Sequence, residues 1–425
     1  GMWKAHQKFG TKRWSALLAP AIKFAEDGYI VHVKMQEAIE WRIKSFNEEG
    51  LKVNFSNYFA HAKSGTKFKQ PELAATLKRI SKAGRDGFYK GQTADIISEF
   101  MHENGGLINK TDLANYSAVW RSPLIRNWRD YTIITAPPPS SGGLAILQWL
   151  TMYDQVKGNN TFAHNSKDYI HLLSEIGKRV FADRAEYLGD PDFINVPIGP
   201  LLNQNYLLNR TKGISLKKIS VTEDIKPGLK ESTDTTHFSI VDKWGNAVSN
   251  TTTINYTFGS GVIVEGAGFI LNDEMDDFSA KSGVANVFGA IGGKANEIQP
   301  NKRMLSSMSP TIILKDGKVT LVTGSPGGTT IISSVYQSIL NTFEFNMDAE
   351  QAVNSPRFHH QLWPKNQIKH YSGIDADVLK SLQTMGYKTT PNTFGDLQII
   401  TRKGNKLSAA SQKGEHSRGV SATFN

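Results

Sequence analysis

The sequence predicts a mixed α/β fold with strands clustered beside helices on both sides, a pattern that suggests two stacked sheets enclosed by helices but does not by itself choose that topology. Three observations point there. Helical periodicity dominates the first half of the chain, short alternating strand patterns open the second half, and further helices follow those strands. No internal repeat or low-complexity stretch interrupts the pattern.

The opening residues, GMWKAHQKFG, lack the basic head, apolar stretch and small-residue cleavage site of a signal peptide and read as a helix already under way. Apolar residues at helical spacing predict helices over 14–26, 35–49, 71–83, 93–104, 143–156 and 166–187, with Gly28, Gly50 and Gly105 placed as C-terminal stops. Between them, 131–135 reads as a short strand that ends at three prolines, which cannot continue a ladder. A polar stretch, KPGLKESTD at 226–234, leads to a hairpin pattern. Its first strand runs through Phe238 and Ile240, its turn is DKWGN at 242–246, and its return passes Ala247 and Val248 into Thr251, Thr252, Thr253, Ile254 and Asn255. Strands over 311–314 and 318–323 flank Asp316-Gly317, a strong tight-turn signal. Helices over 331–343, 347–354 and 375–385 follow, and strands over 397–401 and 407–410 close the chain.

With 425 residues the chain is long enough to bury a substantial core as one large or two ordinary domains. Hydrophobic residues make up 39% and charged residues 21%, with no apolar run long enough to cross a bilayer as a helix. The net charge of +10 is spread along the chain without a basic run or nucleic-acid motif, so a solvated basic surface is expected and a nucleic-acid partner is not. The absence of cysteine excludes disulfides, thiolate metal sites and a cysteine nucleophile. His359-His360 lacks the spacing of a zinc helix, and the acidic run at 272–277 lacks the glycine and terminal glutamate of an EF-hand loop; neither predicts a metal.

Thr235 stands where the polar stretch meets the hairpin. Threonine is ordinary filler at a strand start, and that reading accounts for the residue by itself. The placement also suits a processing nucleophile. The Thr235 hydroxyl would attack the Asp234 carbonyl, the peptide would shift from N to O, and water would release the ester. The new α-amine, with a pKa of about 8 against about 10.4 for lysine, can act as base for its own hydroxyl. Gly327-Gly328, after a strand end, can likewise be a plain turn or a source of backbone amides for an oxyanion.

The wider pattern favours the chemical readings. TTHFSIVDKWGNAVSNTTTINYTFGSGVIVEGAGFILNDEMDDFS at 235–279, LSSMSP at 305–310 and TGSPGG at 323–328 occur in one chain with GFYKG at 87–91, PPPSSGG at 137–143, DRAEYLGDPDF at 183–193 and SPRFHHQ at 355–361. Together, across nearly the whole chain, they resemble the γ-glutamyltranspeptidases, or glutathione hydrolases, a family of N-terminal threonine hydrolases.

The resemblance implies a four-layer αββα sandwich and a precursor cut between Asp234 and Thr235. Segments 1–234 and 235–425 would then be the large and small subunits of one intertwined fold, the first incomplete at its N-terminus. The upstream piece would carry an export signal, an opening strand and helix, and an arginine for the substrate α-carboxylate. By the same resemblance Thr235 is the nucleophile, Thr253 orients its hydroxyl, and Gly327 and Gly328 form the oxyanion hole. Asn255, Glu274 and Asp277 match positions that bind the α-ammonium of a γ-glutamyl group, and Ser306 and Ser307 match those that bind its α-carboxylate. The charge logic agrees, since carboxylates suit an ammonium and hydroxyls donate to a carboxylate. Residues 280–295 align with a substrate-covering lid, in which Phe288 replaces a tyrosine of some bacterial relatives; Glu274 replaces a glutamine of others.

The implied substrate is glutathione or a related γ-glutamyl amide, with water or an amino acid or peptide as acceptor, no cofactor, and a periplasmic or extracellular location. A cephalosporin-type or poly-γ-glutamate-processing acylase, and a non-maturing homologue that only binds γ-glutamyl compounds, are the alternatives.

Overall fold

The computed structural model describes residues 1–225, 235–279, 293–414, 417 and 419–423. They form two compact units, one of Gly1–Arg121 with Thr257–Asp273 and the other of Ser122–Tyr256 with Glu274–Asn425. Each unit therefore takes residues from both sides of position 235.

The first unit is mainly helical. Its longer helices are Trp14–Asp27, Val33–Glu48, Pro71–Ala83 and Gly91–Glu103, close to the spans expected from periodicity. Pro71 sits in the first turn, where its missing N–H costs no intrahelical bond. Gly28, Gly50 and Gly105 all take positive φ just beyond helix ends, the left-handed conformation that frees the chain to turn. Phe46, Phe55, Phe59 and Phe68 fill one core cluster together with Ile263, and Ala94, Ile97 and Phe100 fill a second with Val264 and Ala267.

The second unit is built on a six-stranded sheet. Its order is Lys406–Ser411, Gln398–Lys403, Lys318–Gly324, Thr311–Lys315, Tyr131–Thr135 and Leu124–Trp128, antiparallel throughout. Asp316 and Gly317 both have positive φ, as a type I′ turn requires. The edge strand Leu124–Trp128 has no counterpart in the sequence reading. Its three central residues are all exposed, so the alternation that marks a half-buried strand is missing.

Helices Gly142–Lys157 and Thr330–Phe343 pack against this sheet, with Lys167–Tyr187 against the first of them. Trp149 and Tyr336 stack between two of these helices at a centroid distance of 4.6 Å. The Lys167–Tyr187 helix is buried from Tyr169 to Ala185, and its charges are paired: Glu175 meets Lys178 at 3.0 Å and Arg179 at 3.0 Å, and Asp183 meets Arg210 at 2.8 Å. A second sheet, the hairpin of Thr236–Val241 and Ala247–Thr252, packs on strands Lys318–Gly324 and Gln398–Lys403. Helices, large sheet and hairpin sheet are thus successive layers of the predicted sandwich class.

The hairpin alternates as expected, but with its polar residues facing the large sheet. His237 is 6% exposed while Phe238 and Ile240 are 43% and 52% exposed. Ser249 Oγ donates to Thr323 O at 3.1 Å, and the His237 ring lies over Gly324, where a Cβ would come within 2.1 Å of it.

Candidate active site

Thr235 immediately precedes the first hairpin strand. The ladder pairs Thr236 with Thr252, so the same register carried one residue further sets Thr235 across from Thr253. Both residues line one small cleft. Thr253 Oγ1 accepts the Asn255 N–H at 2.8 Å, and a hydroxyl used as an acceptor keeps its own proton for donation. Asn255 turns the chain at φ 72°, a left-handed conformation that asparagine tolerates, and is buried in the same cleft.

The acidic wall is the single helical turn Glu274–Asp277. Asp277 lines the cleft, and Glu274 lies one turn back without lining it. Asn296 ties this turn to the serine segment: its Nδ2 donates to Asp277 O at 2.7 Å and its Oδ1 accepts the Leu305 N–H at 2.9 Å.

Ser306, Ser307 and Met308 also line the cleft. They rest on the PPPSSGG turn. Ser306 N donates to Pro139 O at 2.9 Å, Ser141 N donates to Ser306 O at 2.7 Å, and Ser140 Oγ donates to Met308 O at 2.5 Å. Gly142 is required at that turn, because a Cβ would come within 2.7 Å of Met308 O and 2.1 Å of Ser309 Oγ.

Gly327 and Gly328 link the strand Lys318–Gly324 to the helix Thr330–Phe343. Gly328 and Ile331 line the cleft. Gly327 has φ 127° and Gly328 φ 58°. Their carbonyls are taken by the first helical turn, Thr330 N to Gly327 O at 3.1 Å and Ile331 N to Gly328 O at 3.0 Å. This strand-to-helix turn sets the glycine pair at the positive end of a helix, a favourable place for developing negative charge.

Thr235, Thr253, Asn255, Asp277, Ser306, Ser307 and Gly328 therefore meet in one cleft, with Glu274 and Gly327 each within one turn of it. Asp234 and Phe288 lie outside the described residues. Met308 and Ile331 were not expected; they supply apolar wall, and only LSSMSP carried a signal for the first. His359 and His360 are buried elsewhere, His359 bonded to Ser333 and Gln361 and His360 to the Gln367 carbonyl.

The chain matches the Gamma-glutamyltranspeptidase family over residues 1–422. It belongs to the γ-glutamyltranspeptidase family. Among curated members it is 50% identical to a glutathione hydrolase proenzyme of Pseudomonas aeruginosa, over 97% of this chain and 74% of that protein. It is 43% identical to the glutathione hydrolase proenzyme of Escherichia coli, over 94% of this chain and 70% of that protein. Among solved structures, a cephalosporin acylase from Bacillus halodurans superposes with a TM-score of 0.84 at 25% identity, covering all of this chain and 76% of its own. The γ-glutamyltranspeptidase fold class expected from the motifs is the one found.

Proposed function

We propose that this chain is a γ-glutamyltransferase and glutathione hydrolase that cleaves itself before Thr235 and then uses that residue as nucleophile. The observation that carries the reading is the convergence, in one cleft, of Thr235 and Thr253 with acceptors suited to an ammonium and donors suited to a carboxylate. An α-amino acid end needs both.

In this scheme the freed Thr235 amine takes the hydroxyl proton as the oxygen attacks the γ-glutamyl amide carbon. Thr253 orients the attacking oxygen. The Gly327 and Gly328 amides receive the oxyanion, and Asn255, Glu274 and Asp277 hold the α-ammonium while Ser306 and Ser307 donate to the α-carboxylate. Collapse breaks the C–N bond, the proton passes to the departing amine, and a glutamyl-threonine ester remains. From glutathione the amine is cysteinylglycine. Water then yields glutamate, or an amino acid or peptide acceptor yields a new γ-glutamyl compound, with ping-pong kinetics. Residues 1–234 and 235–425 become the large and small subunits of one intertwined fold, with Phe288 in the lid. The site is periplasmic or extracellular. No helix among the described residues is long and apolar enough to cross a membrane.

Intact mass and N-terminal sequencing of the wild type and of Thr235→Ala test the scheme. Two wild-type fragments, one beginning at Thr235, with an uncut variant and hydrolysis of a γ-glutamyl anilide by wild type alone are expected. An uncut, inactive wild type would sink it. Preference for an acyl amide over the γ-glutamyl anilide would instead favour the acylase reading, to which the cephalosporin acylase likeness lends its fold.

A further inference from the structure

Two motifs, PPPSSGG and DRAEYLGDPDF, are not used by the scheme above, yet they meet behind its serine wall. Arg184, on the Lys167–Tyr187 helix, is 1% exposed. Its Nε donates to Ser141 Oγ at 2.7 Å and its Nη2 to Ser307 Oγ at 3.3 Å. Ser141 Oγ in turn donates to Ser306 O at 2.7 Å. One guanidinium thus braces both serines, one through its hydroxyl and the other through its carbonyl. The acid beside Arg184 in sequence does not neutralise it, because Asp183 is engaged by Tyr206, Arg210 and Gln148. Asp277, which lines the same cleft, is a carboxylate whose charge acts on Arg184.

Burying a guanidinium is expensive unless its charge meets a countercharge. Here one such carboxylate, Asp277, is also a group offered to a substrate ammonium, while the guanidinium itself bonds the serine segment offered to the carboxylate. A serine hydroxyl that accepts from a guanidinium is held with its own O–H available to a carboxylate oxygen, and it is polarised for that donation.

We propose that Arg184 is a positioning residue for the γ-glutamyl subsite: it holds Ser307 and the Ser306 backbone in the geometry that accepts the α-carboxylate of an α-amino acid zwitterion. The inference rests on the γ-glutamyl reading of the cleft and extends it to residues outside the cleft lining.

The test compares a γ-glutamyl anilide with the 4-aminobutyryl anilide, which keeps the amine and lacks the α-carboxylate. Variants are Arg184→Lys, which keeps the charge and loses the two-pronged geometry, Arg184→Gln, and the milder Ser141→Ala. Cleavage is checked by mass so that only matured protein is assayed. The expected result is a rise of about tenfold or more in KM for the γ-glutamyl anilide in Arg184→Gln, smaller in Arg184→Lys, with kcat/KM for the 4-aminobutyryl anilide little changed. In a Ser307→Ala background the Arg184→Lys effect should shrink, since the contact it loses is already gone. If Arg184→Gln does not mature, Ser141→Ala and Arg184→Lys carry the same discrimination readout. Equal losses on both substrates in those variants would overturn the proposal and leave a structural arginine. A wild type that does not discriminate between the two anilides would overturn the γ-glutamyl reading itself, a separate and recognisable outcome.

Discussion

Thr253 is one of three consecutive threonines, and what separates it from its neighbours is where the strand ends. Thr251 spends its hydroxyl on His237 Nδ1 at 2.8 Å, and Thr252 pairs with Thr236 and points to solvent. Thr253 lies one step past the ladder, in the cleft with Thr235. In the proposed scheme Thr253 orients the attacking oxygen and does not touch the glutamyl group, so alanine there would remove the first role alone. Thr253→Ala should therefore lower kcat for the γ-glutamyl anilide by about tenfold to a hundredfold while KM changes by less than about threefold. Initial rates of the matured variant check this, and a change confined to KM would remove Thr253 from its assigned role. Strand propensity offered three equivalent candidates here, since it does not distinguish adjacent threonines, and only the family resemblance picked out Thr253.

The hairpin as an element is held to the large sheet by polar contacts and close approach. His237 bonds Thr251 and, through Nε2 at 3.0 Å, Ser239, and its ring occupies the space that a side chain at position 324 would need. Gly324→Ala should push the hairpin off the sheet and, since Thr235 starts that hairpin, reduce the self-cleaved fraction. Gly404→Ala is the control. It has φ 59° but open space around it, so it should cost about 1–2 kcal/mol of stability and leave cleavage as in wild type. Thermal midpoints and intact mass of the two variants separate the effects; equal cleavage in both would mean that the close approach does not position Thr235. The alternation of residues 236–241 was legible, but not which face turns inward. A period of two divides a strand into two faces, and their orientation depends on what packs against them.

For the whole molecule, three imidazoles couple stability to pH. Burial holds His237 at about 4, His359 at about 3 and His360 at about 4, all below the ordinary value of 6.5. The unfolded chain takes up these protons as pH falls through about 6.5, and the folded chain does not until about 4 or 3. Their full contribution is therefore present above pH 6.5, declines as pH falls toward 4, and levels off below the folded values. At pH 5 each should have cost on the order of 1–2 kcal/mol relative to pH 7.5. Urea midpoints at the two pH values check this, and His360→Gln, which can still donate to the Gln367 carbonyl, should make the dependence shallower. A midpoint unchanged between pH 7.5 and 5 would show that these histidines do not titrate as their burial implies.

Most helix spans and the two hairpin turns were legible in the chain, because periodicity and turn chemistry are local properties, and the ordered motifs carried the family and, through that resemblance, the candidate residues that line the cleft apart from Met308 and Ile331. Gly50 could be read as a stop and Asp316-Gly317 as a turn from their residue types alone. Packing was needed to show that the polar face of the 236–252 hairpin is the buried one, that Leu124–Trp128 completes the large sheet, and that Arg184 bonds Ser307 and, through Ser141, the Ser306 carbonyl. Those facts depend on groups far apart in sequence. A guanidinium on one helix, a serine turn and a serine wall acquire a shared role only when burial removes water and leaves them as one another's partners.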